Sequence, residues 1–240
     1  MSLNAGETIK KTIQSFLEQD FVFKELIIID GGSTDNTESV VNEFLPNANI
    51  KYFSQIDNGI YGAMNRGLSI ATGDIIGFLN ANDVFTRKDF LSSIFDNIRN
   101  MDVIFSGVIF SDWNGRKVRT WLAETPPKHL MKYGWMPAHP TLYAKRHVYD
   151  AVGPFNEAYK IVADYEWMLR MFHLHEFKFK VVNSIDINML IGGRSNSNIF
   201  SIIRCNWECL RARRSILNHN IIDVAFILKP MRKISQFFAK

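Results

Sequence analysis

Two cysteines in 240 residues, Cys205 and Cys209, are too few for a disulfide framework. Their C-x-x-x-C spacing supplies at most half of a structural zinc site, so both read as thiols in a reducing compartment. No run approaches the roughly 18 apolar residues that a membrane-spanning helix requires, and no basic, apolar leader opens the chain. A cytosolic location is the expectation. Nothing matches G-x-G-x-x-G or G-x-x-x-x-G-K-[ST], which disfavours a dinucleotide dehydrogenase and a P-loop nucleotidase. There is no internal repeat and no low-complexity tract. What remains, 47% apolar and 22% charged, is the composition of an ordinary folded chain long enough for one large domain or two small ones.

Charge is unevenly placed. The net value is +4, from 28 basic and 24 acidic residues. From residue 201 onward eight basic side chains face only Glu208 and Asp223, a balance of +6, which leaves 20 basic and 22 acidic residues before it, a balance of −2. A near-neutral body with a basic tail suits an anionic surface such as a membrane or a phosphate-bearing ligand. A solvated helix face accounts for the same run. A nucleic-acid partner would rest on the tail alone, without a recognised motif, and is not expected.

Apolar patterning in the first half alternates between strand and helix, as in β-α units with a mostly parallel sheet. Residues 26–29 form a β-branched run stopped by Asp30-Gly31-Gly32. Ser33, Thr34 and Asp35 offer cap oxygens, with Glu38 three residues after Asp35, and a helix carrying Val40, Val41, Phe44 and Leu45 should follow. Residues 50–53 read as a second strand and Asp57-Asn58-Gly59 as a turn. Ile60, Met64, Leu68 and Ala71 recur at helical spacing, and a third strand over 75–79 ends in Asn80-Ala81-Asn82-Asp83. Beyond it, 89–99 looks helical, and 103–110 and 117–121 flank Asn114-Gly115, a hairpin signal. A helix over 162–173 precedes strands over 177–182 and 185–191. The pattern over 199–217 puts Ile199, Ile203, Trp207 and Leu210 on one helix face and Arg204, Glu208 and Arg211 on another. Residues 1–198 are read as the main domain and 199–240 as a basic amphipathic helical tail.

Three acids stand where strands stop: Asp30, Asp57 and Asp83. Ligands of open α/β sheets bind outside the carboxyl ends of the strands, so these carboxylates are placed to meet at one site. Turns and caps after any strand also favour Asp and Asn, but three in consecutive units weaken that reading. Trp135, Tyr143 and Trp167 have the faces to stack on a ring, although aromatics at such spacing more often fill a core.

At this point the residues resemble a family. IIIDGGSTDNT, DNGIYGAMNRGLSIATGDIIGFLNAND, AHP and ADYEWMLRM are similar, in order and spacing, to blocks of the family 2 glycosyltransferases over about residues 4–195. The resemblance implies a Rossmann-like mixed α/β sheet flanked by helices, the glycosyltransferase type A fold, followed by the helical tail. It implies an inverting transferase that moves a sugar from a nucleotide donor, a UDP-sugar, to a hydroxyl of a surface glycan or lipid-linked acceptor. Matched to this sequence, Asp30, Asp57, Asn65 and Arg66 fall on the donor, and Asp83 on a Mg²⁺ or Mn²⁺ ion; Arg194, in the loop Gly192-Gly193-Arg194-Ser195, reads either as a guanidinium that closes over the donor diphosphate or as part of a surface turn. Asp164 falls on the general base and His139 on a histidine beside the acceptor or diphosphate. Asn80 and Asn82 stand where acids are common in the metal motif, and Gly62 where an acid is common. These departures motivate a rival reading, an inactive relative kept as a binding module. Relatives also open with an apolar strand before the loop matched by Asn4-Ala5-Gly6; without it the sheet should lose an inner member.

Overall fold

A computed structural model describes residues 1–124, 135–191 and 199–217. The elements run α1 (Ile9–Leu17), β1 (Leu26–Asp30), α2 (Thr37–Asn42), β2 (Ile50–Ser54), α3 (Gly59–Ile70), β3 (Ile75–Gly77), β4 (Asp83–Phe85), α4 (Phe90–Asn97), β5 (Val103–Ser111) and β6 (Lys117–Trp121). A short 3-10 turn at His139–Thr141 then leads to β7 (Tyr143–Lys145), α5 (Arg146–Val152), α6 (Ala163–Leu174), β8 (Phe179–Leu190) and α7 (Ile199–Leu217). This is the mixed α/β arrangement the resemblance implied. The parallel share is smaller than the β-α patterning suggested.

β1 and β2 pair in parallel, from Leu26 opposite Ile50 to Asp30 opposite Ser54. The larger sheet is ordered β3-β7-β5-β8-β4, with β6 also on β5, and within it only β5 and β8 run parallel. The hairpin of β5 and β6 turns at Asn114-Gly115, where Gly115 takes φ 78° and Asp112 Oδ1 accepts the N–H groups of Asn114 and Arg116. Two expected strands over 177–191 are one strand, β8, with an irregularity in the middle. Gly107 opposes that bulge, and a Cβ there would lie 3.0 Å from the Ser184 carbonyl and 3.1 Å from that of Trp121. A side chain there would have to push both backbones back by a few tenths of an ångström, which favours glycine. β4 was hidden because it is three residues long and begins on the aspartate that reads as the end of a turn.

The sheets do not pair with each other. Met1 and Ser2 span the gap at the carboxyl ends of β1 and β3. The Ser2 N–H donates to the Ile29 carbonyl (2.9 Å), the Gly31 N–H to Ser2 (2.9 Å), and the Ala81 N–H to Met1 (3.1 Å). Behind these two residues lies a cavity of about 580 Å³ whose wall includes Ile27, Ile29, Ile75, Gly77, Phe16 and Leu68.

The main core gathers around α6. Eight of its 12 residues are buried, more than an amphipathic helix requires, including Trp167, Met168, Leu169 and Phe172. Trp167 stacks on Tyr149 with ring centroids 4.9 Å apart, and its indole N–H donates to the Gly153 carbonyl at 2.8 Å. Trp135 and Tyr143 are likewise buried, so all three aromatics serve packing. The buried Glu166 is answered by Arg170 one turn on, at 2.9 Å.

α7 packs on α6 through the side of the helix that carries Glu208. Cys209 and Ala212 enter the core while Ile203 and Trp207 stay 60% and 58% exposed. The reason is polar. Glu208 is buried, its carboxylate accepting the N–H groups of Lys160 (3.2 and 3.1 Å) and Ile161 (2.9 Å) and the Nε of Arg204 (2.9 Å). Arg213 on the same face donates to the Tyr165 hydroxyl at 3.1 Å. The first part of the expected tail therefore shares the core of the main domain; 218–240 lies outside the described residues.

Candidate active site

Each acid read at a strand end takes a different environment. Asp30 closes β1 and is 1% exposed. Its Oδ1 accepts the hydroxyls of Ser33 (2.6 Å) and Ser2 (3.0 Å), and its Oδ2 accepts the N–H groups of Ser33 (2.8 Å) and Gly32 (3.2 Å) and the Ser54 hydroxyl (3.2 Å). Burial alone would raise its pKa, but these donors outweigh it and hold the carboxyl below its ordinary range. Asp30 thereby shapes the 31–33 loop with both oxygens engaged.

Asp57, in the turn before α3, lies 3.8 Å from Arg66 Nη1, and Arg66 also rests over the Phe53 ring. That separation is too long for a hydrogen bond, and the facing atoms, Asp57 Oδ2 and Arg66 Nη1, are buried without another partner. A ligand offering a donor to the carboxylate and an acceptor to the guanidinium would satisfy both.

Asn65 departs from the expected donor contact. Its amide nitrogen donates to the Phe155 carbonyl (2.9 Å) and Glu157 Oε1 (2.9 Å), and its oxygen accepts the Phe155 N–H (2.8 Å). It works as a clamp on the loop that leads toward α6. Glu157, which sequence reading did not single out, also accepts from Asn58 (2.9 Å), and its Oε2 would lie 3.5 Å from a Cβ at Gly62. A carboxylate thus reaches the place where Gly62 leaves none, from a loop that no helical or strand period marks.

Asp164 sits in the first turn of α6, half-buried, and its Oδ1 accepts the Tyr61 hydroxyl at 3.1 Å. The helix N-terminus favours its charge. His139 opens the 3-10 turn. Its ring stacks on Phe78 (5.6 Å, 23°) and meets Phe155 edge-on (5.8 Å, 87°), and its Nε2 is buried with no hydrogen-bond partner. Burial pushes its pKa down, while the Asp164 charge pulls the other way, so the imidazole is neutral near pH 7. α3 joins the two halves of the site: Tyr61 and Asn65, one turn apart, reach toward 155–164, and Arg66 reaches toward Asp57. Arg194 lies outside the described residues.

Residues 1–153 match the family model described as Glycosyl transferase family 2. The chain is a family 2 glycosyltransferase. A PGL/p-HBAD biosynthesis glycosyltransferase of Mycobacterium bovis (strain BCG / Pasteur 1173P2) is 30% identical to it over 176 residues, covering 71% of this chain and 67% of that relative. Chondroitin synthase of Pasteurella multocida (strain Pm70) is 26% identical over 211 residues, 81% of this chain but 20% of the synthase. Among solved structures, S. aureus TarS 1-349 in complex with UDP-GlcNAc superposes with a TM-score of 0.70 at 19% identity, over 92% of this chain and 66% of that one. Mannosyltransferase PcManGT from Pyrobaculum calidifontis, in complex with GDP-Man and Mn²⁺, gives 0.67 at 15% identity, over 94% and 64%. These likenesses establish the type A fold for this glycosyltransferase. The chain spans about two thirds of the length of the mycobacterial relative and of both solved chains.

The family setting raises the question of a divalent cation. In this glycosyltransferase Asp83 opens β4 and is 1% exposed. Its Oδ2 accepts the Asn80 amide at 2.9 Å, and its Oδ1 is buried with no partner. Burial raises its pKa to about 7, against the pull of the Asn80 hydrogen bonds and the amino terminus. No group of three or more His, Cys, Asp or Glu side chains is disposed to hold a metal ion among the described residues. One sealed carboxylate flanked by amides does not fit a hard cation that wants several charged oxygens.

Proposed function

We propose that this glycosyltransferase is an inverting enzyme that moves a sugar from a nucleoside-diphosphate donor, a UDP-sugar, to a hydroxyl of a growing surface glycan, carried on a lipid diphosphate. The observation that carries the reading is Asp164: a half-exposed carboxylate at a helix N-terminus, with one oxygen held by Tyr61 and a neutral His139 in its field. As the acceptor oxygen attacks the anomeric carbon, its proton passes to Asp164 and the bond to the diphosphate breaks on the opposite side of that carbon, inverting its configuration. Arg66, loosely paired to Asp57, is a cation available to the leaving diphosphate, whose oxygens would accept from its buried Nη1, while an N–H or O–H group of the base or ribose would donate to Asp57 Oδ2. The UDP-GlcNAc and GDP-Man complexes of the superposing proteins support a nucleotide-sugar donor. Asp164→Asn should abolish transfer and leave donor binding in place; normal turnover in that variant would refute the assignment.

Asn80, Asn82 and the sealed Asp83 favour a second reading, a binding module without turnover. Titration with a nucleoside diphosphate, with and without Mn²⁺, beside a donor-turnover assay separates the two. Binding without release of nucleoside diphosphate from any donor supports the module.

The tail reading places the basic segment against an anionic inner membrane surface, each exposed Lys or Arg there adding about 1 kcal/mol. No helix among the described residues is long and apolar enough to cross a membrane. The basic and apolar side chains exposed together on α7 support a surface contact.

A further inference from the structure

We infer that Tyr61 and Glu208 are positioning residues for Asp164, forming a hydrogen-bonded frame that reaches from α7 through the 160–161 turn to the carboxylate. The inference rests on the reading of Asp164 as the base. Tyr61 is 7% exposed, its ring lies along Phe155 at 6.3 Å, and its hydroxyl is 2.7 Å from the Ile161 carbonyl and 3.1 Å from Asp164 Oδ1.

A phenol has one proton to donate and lone pairs with which to accept. While Asp164 is a carboxylate, the Tyr61 proton is shared between two acceptors. Once Asp164 has taken the acceptor's proton on its other oxygen, Oδ1 remains an acceptor for Tyr61, and the phenol proton leans further toward the Ile161 carbonyl. The same three heavy atoms therefore satisfy both states of the base without moving, and the other carboxylate oxygen stays directed to the substrate. Burial, with the Asp164 charge beside it, pushes the Tyr61 phenol well above its ordinary range, so it remains a donor throughout.

The Ile161 carbonyl is itself fixed. Its peptide neighbourhood is gripped from α7, where Glu208, 1% exposed, accepts the N–H groups of Lys160 and Ile161 while Arg204 balances its charge. A buried carboxylate spent on two backbone donors three and four residues before the base does more than packing requires. It explains why α7 turns Glu208 inward and leaves Trp207 outside.

The test compares Tyr61→Phe, which keeps the ring, and Glu208→Gln, which keeps the volume, with the unmodified chain. Nucleoside diphosphate release is followed over a panel of UDP- and GDP-sugars with water as acceptor, donor affinity is measured by calorimetry, and the Asp164 carboxyl carbon is observed by NMR. The expected result for Tyr61→Phe is a fall in turnover of about tenfold or more, with unchanged donor affinity and a displaced Asp164 resonance. For Glu208→Gln, amide exchange at Lys160 and Ile161 should accelerate and turnover should fall in the same direction. An unmoved Asp164 resonance in Tyr61→Phe overturns the frame whether or not any donor turns over, as does unchanged turnover in both variants. Transfer that survives Asp164→Asn sinks the base reading instead, a separate outcome.

Discussion

Asp83 is the residue whose physics departs most from its surface-acid counterpart. Its pKa of about 7 in the fold, against an ordinary 3.8, means that the folded chain holds this proton more tightly than the unfolded one. Its contribution to stability is fully present below pH 3.8 and is lost as pH rises through about 7. Asp83→Asn removes that loss. Thermal unfolding should show the variant more stable than the parent at pH 8, by up to about 4 kcal/mol, with the difference vanishing near pH 3. A variant equally destabilised at both values would show that the carboxylate is not closed off as described. The buried amino group of Met1, lowered to about 6, acts in the opposite direction, and the Asp83 charge holds it up, so Asp83→Asn should lower it further. Asp30 is the contrasting case: five donors converge on it, and Asp30→Ala should cost about 2–4 kcal/mol by stranding them, read as a shift in the denaturation midpoint.

At the level of elements, the sequence made some segments plain and left others open. β1, β2 and the β5–β6 hairpin were readable because β-branched runs ended on turn residues, and Asn114-Gly115 supplied the left-handed glycine at the bend. β4 was not, because three residues carry no period. α7 was readable as a two-faced helix, but which face packs was not: the backbone donors of Lys160 and Ile161, invisible to any pattern on α7 itself, draw Glu208 inside and leave Ile203 and Trp207 outside. The outcome is an outer face bearing Phe200, Ile203 and Trp207, exposed by 82%, 60% and 58%, beside Arg204, Arg211 and Arg214. Such a face suits the headgroup boundary of an anionic bilayer. The full chain should float with vesicles of anionic lipid, and Trp207→Ala and added salt should each weaken the association. Binding that ignores salt, or none at all, rules the surface out.

Across the whole molecule, Asp30 at the end of β1 and Asp83 at the start of β4 both act on the amino group of Met1, and their burial was not legible in the sequence. Whether a carboxylate is sealed or open depends on distant residues: Met1 and Asn80 enclose Asp83, while three serines from separate segments enclose Asp30. The gap between the two sheets is a property of the whole fold. Its cavity of about 580 Å³ is largely apolar, with Phe21, Phe23 and Phe95 in its wall, and Phe23 and Phe95 are 88% and 46% exposed. Exposed apolar concavities of this size bind apolar dyes. The folded chain should raise the fluorescence of anilinonaphthalene sulfonate at neutral pH, and Leu68→Asp should reduce that signal; a folded chain that leaves the dye dark contradicts the gap.

The measurement that bears most directly on the account is a paired assay of Asp164→Asn: donor affinity by calorimetry, and sugar transfer by release of nucleoside diphosphate. The account predicts donor affinity close to that of the parent and a loss of turnover of about a hundredfold or more. Turnover at the parental rate, or a donor affinity that collapses together with turnover, would contradict it.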